Sequence, residues 1–332
     1  MELPAFVQIE PVGQCNLRCA MCPIQYRRDG PPWGPPALMP YEAFVRLVEQ
    51  FPGTRELHLQ GLGEPMMHPR LPEMIAYAAS RGWTVSVNSN CTLLNRRKAL
   101  RLAASGLDTI HVSIDGATRG AYESIRAGAT FYGVLRGVRL LAWAKRKLSR
   151  ELPRLRLVFV VMRRNLEELG SLPALARRLE IPSIFVQHLA HDFGEESLPS
   201  HYAPMREYVE RESLLGEEPR RIEECFARAR AAARQEGVEL RLPRVSEDAY
   251  PEGTPGRERC DWPWRGAYVS YQGLAMPCCM VATPDRAQLG DMARDGVEAV
   301  WNGVEYERFR SALEKGPAPG VCRSCSLYRG RF

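Results

Sequence analysis

The chain has 332 residues, 45% of them hydrophobic, enough for one large domain plus a small one and for a buried core, which excludes disorder. Lys+Arg 45 against Asp+Glu 39 leaves +6 spread along the chain, a mild bias toward anionic small molecules and too little for a nucleic-acid groove. No apolar run approaches a membrane span, and the opening Met1-Glu2-Leu3-Pro4 has no signal-peptide pattern, so a cytoplasmic protein with no membrane or nucleic-acid partner is expected.

The first strand is expected over residues 6–10. It leads into Cys15-Asn16-Leu17-Arg18-Cys19-Ala20-Met21-Cys22, three thiols within eight residues. Three cysteines leave structural zinc one ligand short, whereas a cubane iron-sulfur cluster can be held by three thiolates with one iron open. Pro31, Pro32, Pro35 and Pro36 follow in a stiff, non-helical segment expected to cover the edge of this loop. Helical periodicity over 41–50, with Phe44, Leu47 and Val48 on one face, precedes a strand at 56–59. A second such run over 71–80, with Met74, Ile75 and Ala78, precedes a strand at 84–88. Strands at 109–113, 155–162 and 183–187 complete six βα units, which predicts an α/β fold, a partial (β/α)6 TIM-type barrel over residues 1–190. A sheet of this kind gathers its site at the C-terminal ends of its strands. The candidates there are Gln60-Gly61-Leu62-Gly63-Glu64-Pro65, Asn88 to Thr92, Ser113, Arg163, and Gln187 with His188. Taken singly, several of these also suit turns, helix caps or a solvated surface.

Residues 191–255 change character. A polar loop opens at His191-Asp192-Phe193-Gly194, charged helical patterns run over 203–215 and 219–235, and Pro251 to Gly256 reads as a linker; a helical bridging segment is expected. Residues 256–332 are expected to form a small α+β domain, with a hairpin of 267–271 turning at Gln272-Gly273 into 274–276. This tail carries Cys260, Cys278, Cys279, Cys322 and Cys325, and four cysteines ending in Cys-x-x-Cys would by themselves make a zinc ribbon. In a reducing compartment, ten cysteines favour metal or redox chemistry over disulfides; Cys225, within a charged helix, reads as packing.

The spacing of Cys15, Cys19 and Cys22 resembles the signature of radical S-adenosylmethionine (radical SAM) enzymes, with Met21 where that family often has an aromatic residue. Gly61-Leu62-Gly63-Glu64-Pro65 resembles the family's Gly-Gly-Glu-Pro motif, with Leu62 in place of the first glycine. The resemblance implies that Cys15, Cys19 and Cys22 hold a 4Fe-4S cluster whose open iron takes S-adenosyl-L-methionine. It also implies that Gly61, Gly63 and Glu64 hold the methionyl ammonium, and that Asn88, Ser113, Arg163 and Gln187 meet other parts of the cofactor. Cys91 stands where similar sequences usually have glycine. It is either a small buried residue or, as a catalytic candidate, an S–H donor to a substrate radical.

The cysteine-to-glycine spacings of the tail resemble the SPASM extension in its shortened, one-cluster twitch form, since Arg331 stands where a further cysteine would fall. That resemblance implies an auxiliary 4Fe-4S cluster on Cys260, Cys278, Cys322 and Cys325, with Cys279 as the alternative to Cys278. An oxidoreductase-type radical SAM enzyme is therefore expected, drawing electrons from a reductant such as flavodoxin or ferredoxin. Its expected task is oxidation or other modification of a small metabolite. The alternatives are a maturase acting on a ribosomally synthesised peptide and, from another class, a non-catalytic electron-transfer or zinc-scaffold protein.

Overall fold

The structure, a computed structural model, describes every residue except 32, 33, 35, 190–192, 245–249, 282, 331 and 332. Pro32 and Pro35 of the expected covering segment, His191 and Asp192 of the polar loop, and Arg331 thus lie outside the described residues.

The six expected strands form as β1 (Phe6–Ile9), β2 (Glu56–Leu59), β3 (Thr84–Ser89), β4 (Thr109–Ser113), β5 (Arg154–Val161) and β6 (Ser183–His188). They pair in chain order, every pair parallel. Parallel neighbours need a crossover, supplied by α1 (Tyr41–Glu49), α2 (Leu71–Ser80), α3 (Arg96–Ala104), α4 (Arg119–Ile125), α5 (Phe131–Lys147) and α6 (Leu172–Arg178). Three of these helices start where a side chain can accept an orphan N–H. Asn95 takes that of Lys98, Thr118 that of Ala121 and Thr130 that of Gly133.

Both edges of this sheet differ from expectation. The bridging region does contain helices, α7 (Ala203–Glu212) and α8 (Pro219–Glu236), but it also adds a strand, β7 (Glu239–Arg241), parallel to β6. Glu-Leu-Arg is too short and too polar to show a strand period, and it becomes one only because the edge of β6 is open to it. In the tail, β8 (Gly266–Val269) and β9 (Leu274–Met276) make the expected hairpin, with Gly273 at φ +86°, and β10 (Gly290–Asp291) extends it. β8 also pairs in parallel with β1, so the tail is an outgrowth of the barrel sheet, whose order is β10-β9-β8-β1-β2-β3-β4-β5-β6-β7.

The pleat sorts the side chains. Val7, Ile9, Leu57, Leu59, Val85, Val87, Ile110, Val112, Leu157 and Phe159 are packed under the helices in one core. On the opposite, concave face the registered row runs Tyr268, Gln8, His58, Ser86, and a step higher Asn88, His111, Arg156. A closed barrel fills this space with branched aliphatic side chains; here the sheet stays open and its lumen is polar. His58 is held there between Ser86 Oγ on Nδ1, at 2.7 Å, and Gln60 Oε1 on Nε2.

Candidate functional site

The three-thiol loop leaves β1 at the C-terminal end of the sheet and is held from two sides. On one side Arg18 and Ala20 donate their N–H groups to Ala127 and Ile125 at the end of α4, each at 2.9 Å. On the other, the Asn90 amide lies 3.1 Å from Asn16 Oδ1 and 3.9 Å from Cys15 Sγ, and Thr92 Oγ1 accepts from Asn16. Arg126 approaches Cys19 Sγ at 3.9 Å and is itself anchored to the buried Asp115 at 2.6 Å. Burial raises all three thiols, Cys15 to about 11 and Cys22 to about 12, so the loop stores them protonated and a bound cation must displace the protons.

The glycines beside this loop have a packing reason that the sequence does not reveal. A Cβ on Gly63 would fall on the Val12 carbonyl oxygen, and one on Gly61 on the Glu10 carboxylate, because the loop after β2 lies directly against the chain leading to Cys15. Glu64 N–H donates to Gln14 O at 2.9 Å across the same seam. The Glu64 carboxylate is buried and accepts from Met66 N–H at 3.0 Å, Ser89 Oγ at 2.7 Å and Asn90 N–H at 2.8 Å. It fastens the second strand's loop to the third and keeps, of its four acceptor positions, one for a ligand. Desolvation raises its pKa, partly offset by those three donors.

Asn88 faces the lumen, and its Oδ1 is buried without a hydrogen-bond partner, an acceptor suited to a donor on a bound molecule. Ser113 ends β4 half-buried, on the same face. Gln187 is exposed near the end of β6, whereas His188 is buried, its Nε2 2.6 Å from Arg244 O, with burial pulling it down to about 4. Two further candidates are engaged by the protein itself. Arg163, two residues past β5, donates to Ser213 O at the end of α7, at 3.0 Å. Cys91 is fully buried at φ +56°, packed against α5 so tightly that Gly137 there can carry no Cβ. The left-handed backbone is one that glycine adopts without strain, in keeping with the glycine of similar sequences, and burial sets the thiol in the core. Cys225 is likewise buried.

The second cysteine set is assembled from three segments. Cys260 ends the short helix Gly256–Arg259, Cys278 and Cys279 follow β9, and Cys322 and Cys325 lie on and just after the helix Gly320–Arg323. Burial is the main force raising Cys278. Negative charge on Cys279, Cys322, Cys325 or Cys260 adds to it, so the five thiols are electrostatic neighbours. Cys279, pushed up to about 12 mainly by burial, is opposed by Cys260 and Cys325. Among the described residues, no group of three or more His, Cys, Asp or Glu side chains already stands arranged to hold a metal ion. The fold gathers the thiols, and binding would close each cage while releasing their protons. Soft donors in these numbers suit iron-sulfur clusters.

Sequence reasoning missed the links around these thiols. Glu10, fully buried, accepts from Arg27 at 2.7 Å and from Leu62 N–H at 3.0 Å. Arg27 continues to Asp29, its guanidinium lies 4.8 Å from the centre of the Tyr271 ring, and Tyr271 Oη donates to Asp29 O at 2.6 Å. The network joins the three-thiol loop to the β8–β9 turn. A charged residue ending an apolar strand was its one local signal, and its partner Tyr271 is 261 residues away.

A partial barrel with an under-ligated three-thiol loop at its mouth, and a second cysteine set grown from its first strand, defines a two-cluster radical enzyme. Known proteins agree. The profile described as the Radical SAM superfamily matches residues 9–149, and the SPASM profile, described as an iron-sulfur cluster-binding domain, matches residues 260–326. The chain belongs to the radical SAM enzymes that carry a C-terminal SPASM domain, and its cofactors are a 4Fe-4S cluster, S-adenosyl-L-methionine and an auxiliary iron-sulfur cluster. It is 27% identical over 188 residues to the tungsten-containing aldehyde ferredoxin oxidoreductase cofactor-modifying protein of Pyrococcus furiosus, covering 55% of this chain and 51% of that one. Over 97% of this chain it is 25% identical to the AdoMet-dependent heme synthase of Methanosarcina barkeri, covering 88% of that protein. Over 98% it is 26% identical to the PqqA peptide cyclase of Granulibacter bethesdensis, covering 80% of that one. In fold it matches Streptococcus suis SuiB, solved bound to precursor peptide SuiA, with a TM-score of 0.72 at 14% identity, covering 99% of this chain and 71% of that one. No helix among the described residues is long and apolar enough to cross a membrane.

Proposed function

We propose that this enzyme modifies a peptide at an unactivated C–H bond. The observation that carries this is the extent of the likeness to the PqqA peptide cyclase, which takes in barrel and tail together. It reverses the order expected from sequence, in which a small metabolite came first. A metabolite stays the second reading, favoured by the comparable likeness to the heme synthase.

The ligand assignments belong to the same proposal. Cys15, Cys19 and Cys22 hold the first cluster, and Cys260, Cys278, Cys322 and Cys325 the auxiliary one. Gly61, Gly63, Glu64, Asn88 and Ser113 surround S-adenosylmethionine. When bound, these cofactors supply one electron and, by cleavage of the sulfonium, the 5'-deoxyadenosyl radical that takes a substrate hydrogen. The chain's own part is placement and charge. Asn90 and Arg126 lie beside the Cys15 and Cys19 sulfurs, where an amide and a guanidinium favour negative charge. Glu64 locks two strand ends so that the backbone at Gly61 and Gly63 stays fixed, and Asn88 offers its unpaired oxygen from the lumen.

The test has two stages. Reconstituted protein given a reductant and S-adenosylmethionine should release 5'-deoxyadenosine and methionine. A short peptide encoded beside the gene, deuterated on its side chains, should then pass deuterium into 5'-deoxyadenosine and lose hydrogens itself. Deuterium transfer from a labelled tetrapyrrole or sugar alcohol, with none from the peptide, would replace the peptide reading by the metabolite one.

A further inference from the structure

Among the described residues, three tyrosine hydroxyls are buried without a hydrogen-bond partner: Tyr122, Tyr268 and Tyr306. Other tyrosines do find acceptors, Tyr271 on Asp29 O and Tyr250 on Arg259 O. A fully buried site that wants only a ring is better served by phenylalanine, so an O–H kept there asks for an acceptor. Burial is the main cause raising each of these hydroxyls, and negative charge on a cysteine would push it further up: Cys19 and Cys91 for Tyr122, Cys279 and Cys278 for Tyr268, Cys278 for Tyr306.

The two tail tyrosines stand beside the cysteine segments on different elements. Tyr268 is on β8, paired with Met276 two residues before Cys278. Tyr306 is on the helix Val304–Lys315, its ring centre 4.9 Å from that of Trp301 and 4.7 Å from the Arg310 guanidinium, which donates to Pro263 O at 2.9 Å, three residues beyond Cys260. Both are wholly buried, so neither hydroxyl can turn to water. Strand pairing holds one ring and aromatic packing the other.

We propose that Tyr268 and Tyr306 are positioning residues of the auxiliary site, each donating its O–H to a sulfur of the bound cluster and thereby raising its reduction potential. Donors to sulfur stabilise the more negative, reduced state, and this is a lever by which a protein sets such a potential. The inference rests on the proposal that Cys260, Cys278, Cys322 and Cys325 hold an iron-sulfur cluster.

Holoenzyme carrying Tyr268→Phe or Tyr306→Phe should keep about eight irons per chain. An EPR-monitored titration should show the auxiliary midpoint lowered by a tenfold change in the reduced-to-oxidised ratio, about 59 mV for one electron. Tyr250→Phe, whose hydroxyl already has a protein acceptor, should leave it unmoved. Full iron with an unmoved midpoint in both variants overturns the proposal alone. About four irons plus zinc in the wild type overturns the auxiliary-cluster assignment, and the proposal with it. Should the phenylalanine variants not load, replacing tyrosine throughout by 3-fluorotyrosine decides. That ring is a stronger donor and should raise the midpoint, and an unchanged midpoint counts against the proposal.

Discussion

The two cysteine sets reach similar chemistry by opposite routes. The first is local, three thiols on one loop held by Asn90 just after β3 and Arg126 at the end of α4. The second collects thiols from segments as far apart as Cys260 and Cys325, on elements tied to the barrel through β8 and β1. A metal that bridges neighbours in sequence adds little to the fold, whereas one that bridges distant segments removes conformational freedom from the unfolded chain and acts as a cross-link. On the proposed ligand assignment, the first set would govern activity and the second the order of the tail.

The largest predicted effect breaks the two sets apart. Replacing Cys15, Cys19 and Cys22 together by Ala should abolish 5'-deoxyadenosine formation and lower iron from about eight to about four per chain, while the melting temperature holds. Cys260→Ala should instead open residues 256–330 to limited proteolysis and leave the barrel resistant. Equal protease sensitivity in the two variants would remove the distinction between a local and a cross-linking site.

Next in size is Arg126→Met. Asp115 has no exposed surface, and its Oδ1 also takes Val160 N–H at 2.8 Å. Removing its cation leaves a buried carboxylate uncompensated, a loss of about 3–5 kcal/mol in chemical denaturation. The guanidinium also leaves Cys19, so the first cluster should become harder to reduce while the auxiliary one is unaffected.

Histidine distribution sharpens the comparison. All six histidines precede residue 202, and none is in the tail. Burial, then His58 and Arg156, lowers His111 to about 3, and burial lowers His188 to about 4. A histidine whose folded pKa is depressed stabilises the native state only while neutral. Its contribution is complete above 6.5, the unfolded value, and is lost progressively as the pH falls toward the folded one. Between pH 6.5 and 5 each should cost up to about 2 kcal/mol. His111→Gln should flatten the fall of melting temperature over that window, and an unchanged slope would refute the assignment.

How much of this could be read beforehand follows from the same division between near and far. The six strands, the helices with their caps and the Cys15 to Cys22 spacing are written in neighbouring residues, and periodicity and spacing reveal them. The parallel docking of β8 on β1, the strand β7 and the Glu10–Arg27–Asp29–Tyr271 network depend on partners tens to hundreds of residues away. Arg163 shows the converse. Its position after β5 suits a carboxylate clamp, and the partner the structure sets against it, Ser213 O at the end of α7, comes from the bridging helices. Gly61 and Gly63 were expected to hold the methionyl ammonium, and the close approach the structure shows them permitting is to Glu10 and Val12.

The smallest effect concerns Cys91, where backbone and side chain oppose each other. A non-glycine residue at φ +56° costs about 1–2 kcal/mol, which Cys91→Gly would relieve. Against this stand the lost packing of a buried thiol beside α5, roughly 1 kcal/mol, and the greater freedom glycine gives the unfolded chain, roughly 0.5–1 kcal/mol. The terms nearly cancel, so stability should change by less than about 1 kcal/mol. Activity separates the two accounts of this residue. If the thiol is packing, Cys91→Gly turns over substrate at the wild-type rate. If it delivers a hydrogen atom to a substrate radical, the variant still forms 5'-deoxyadenosine but its product fails to appear, an outcome that would require Cys91 to leave the core position it occupies.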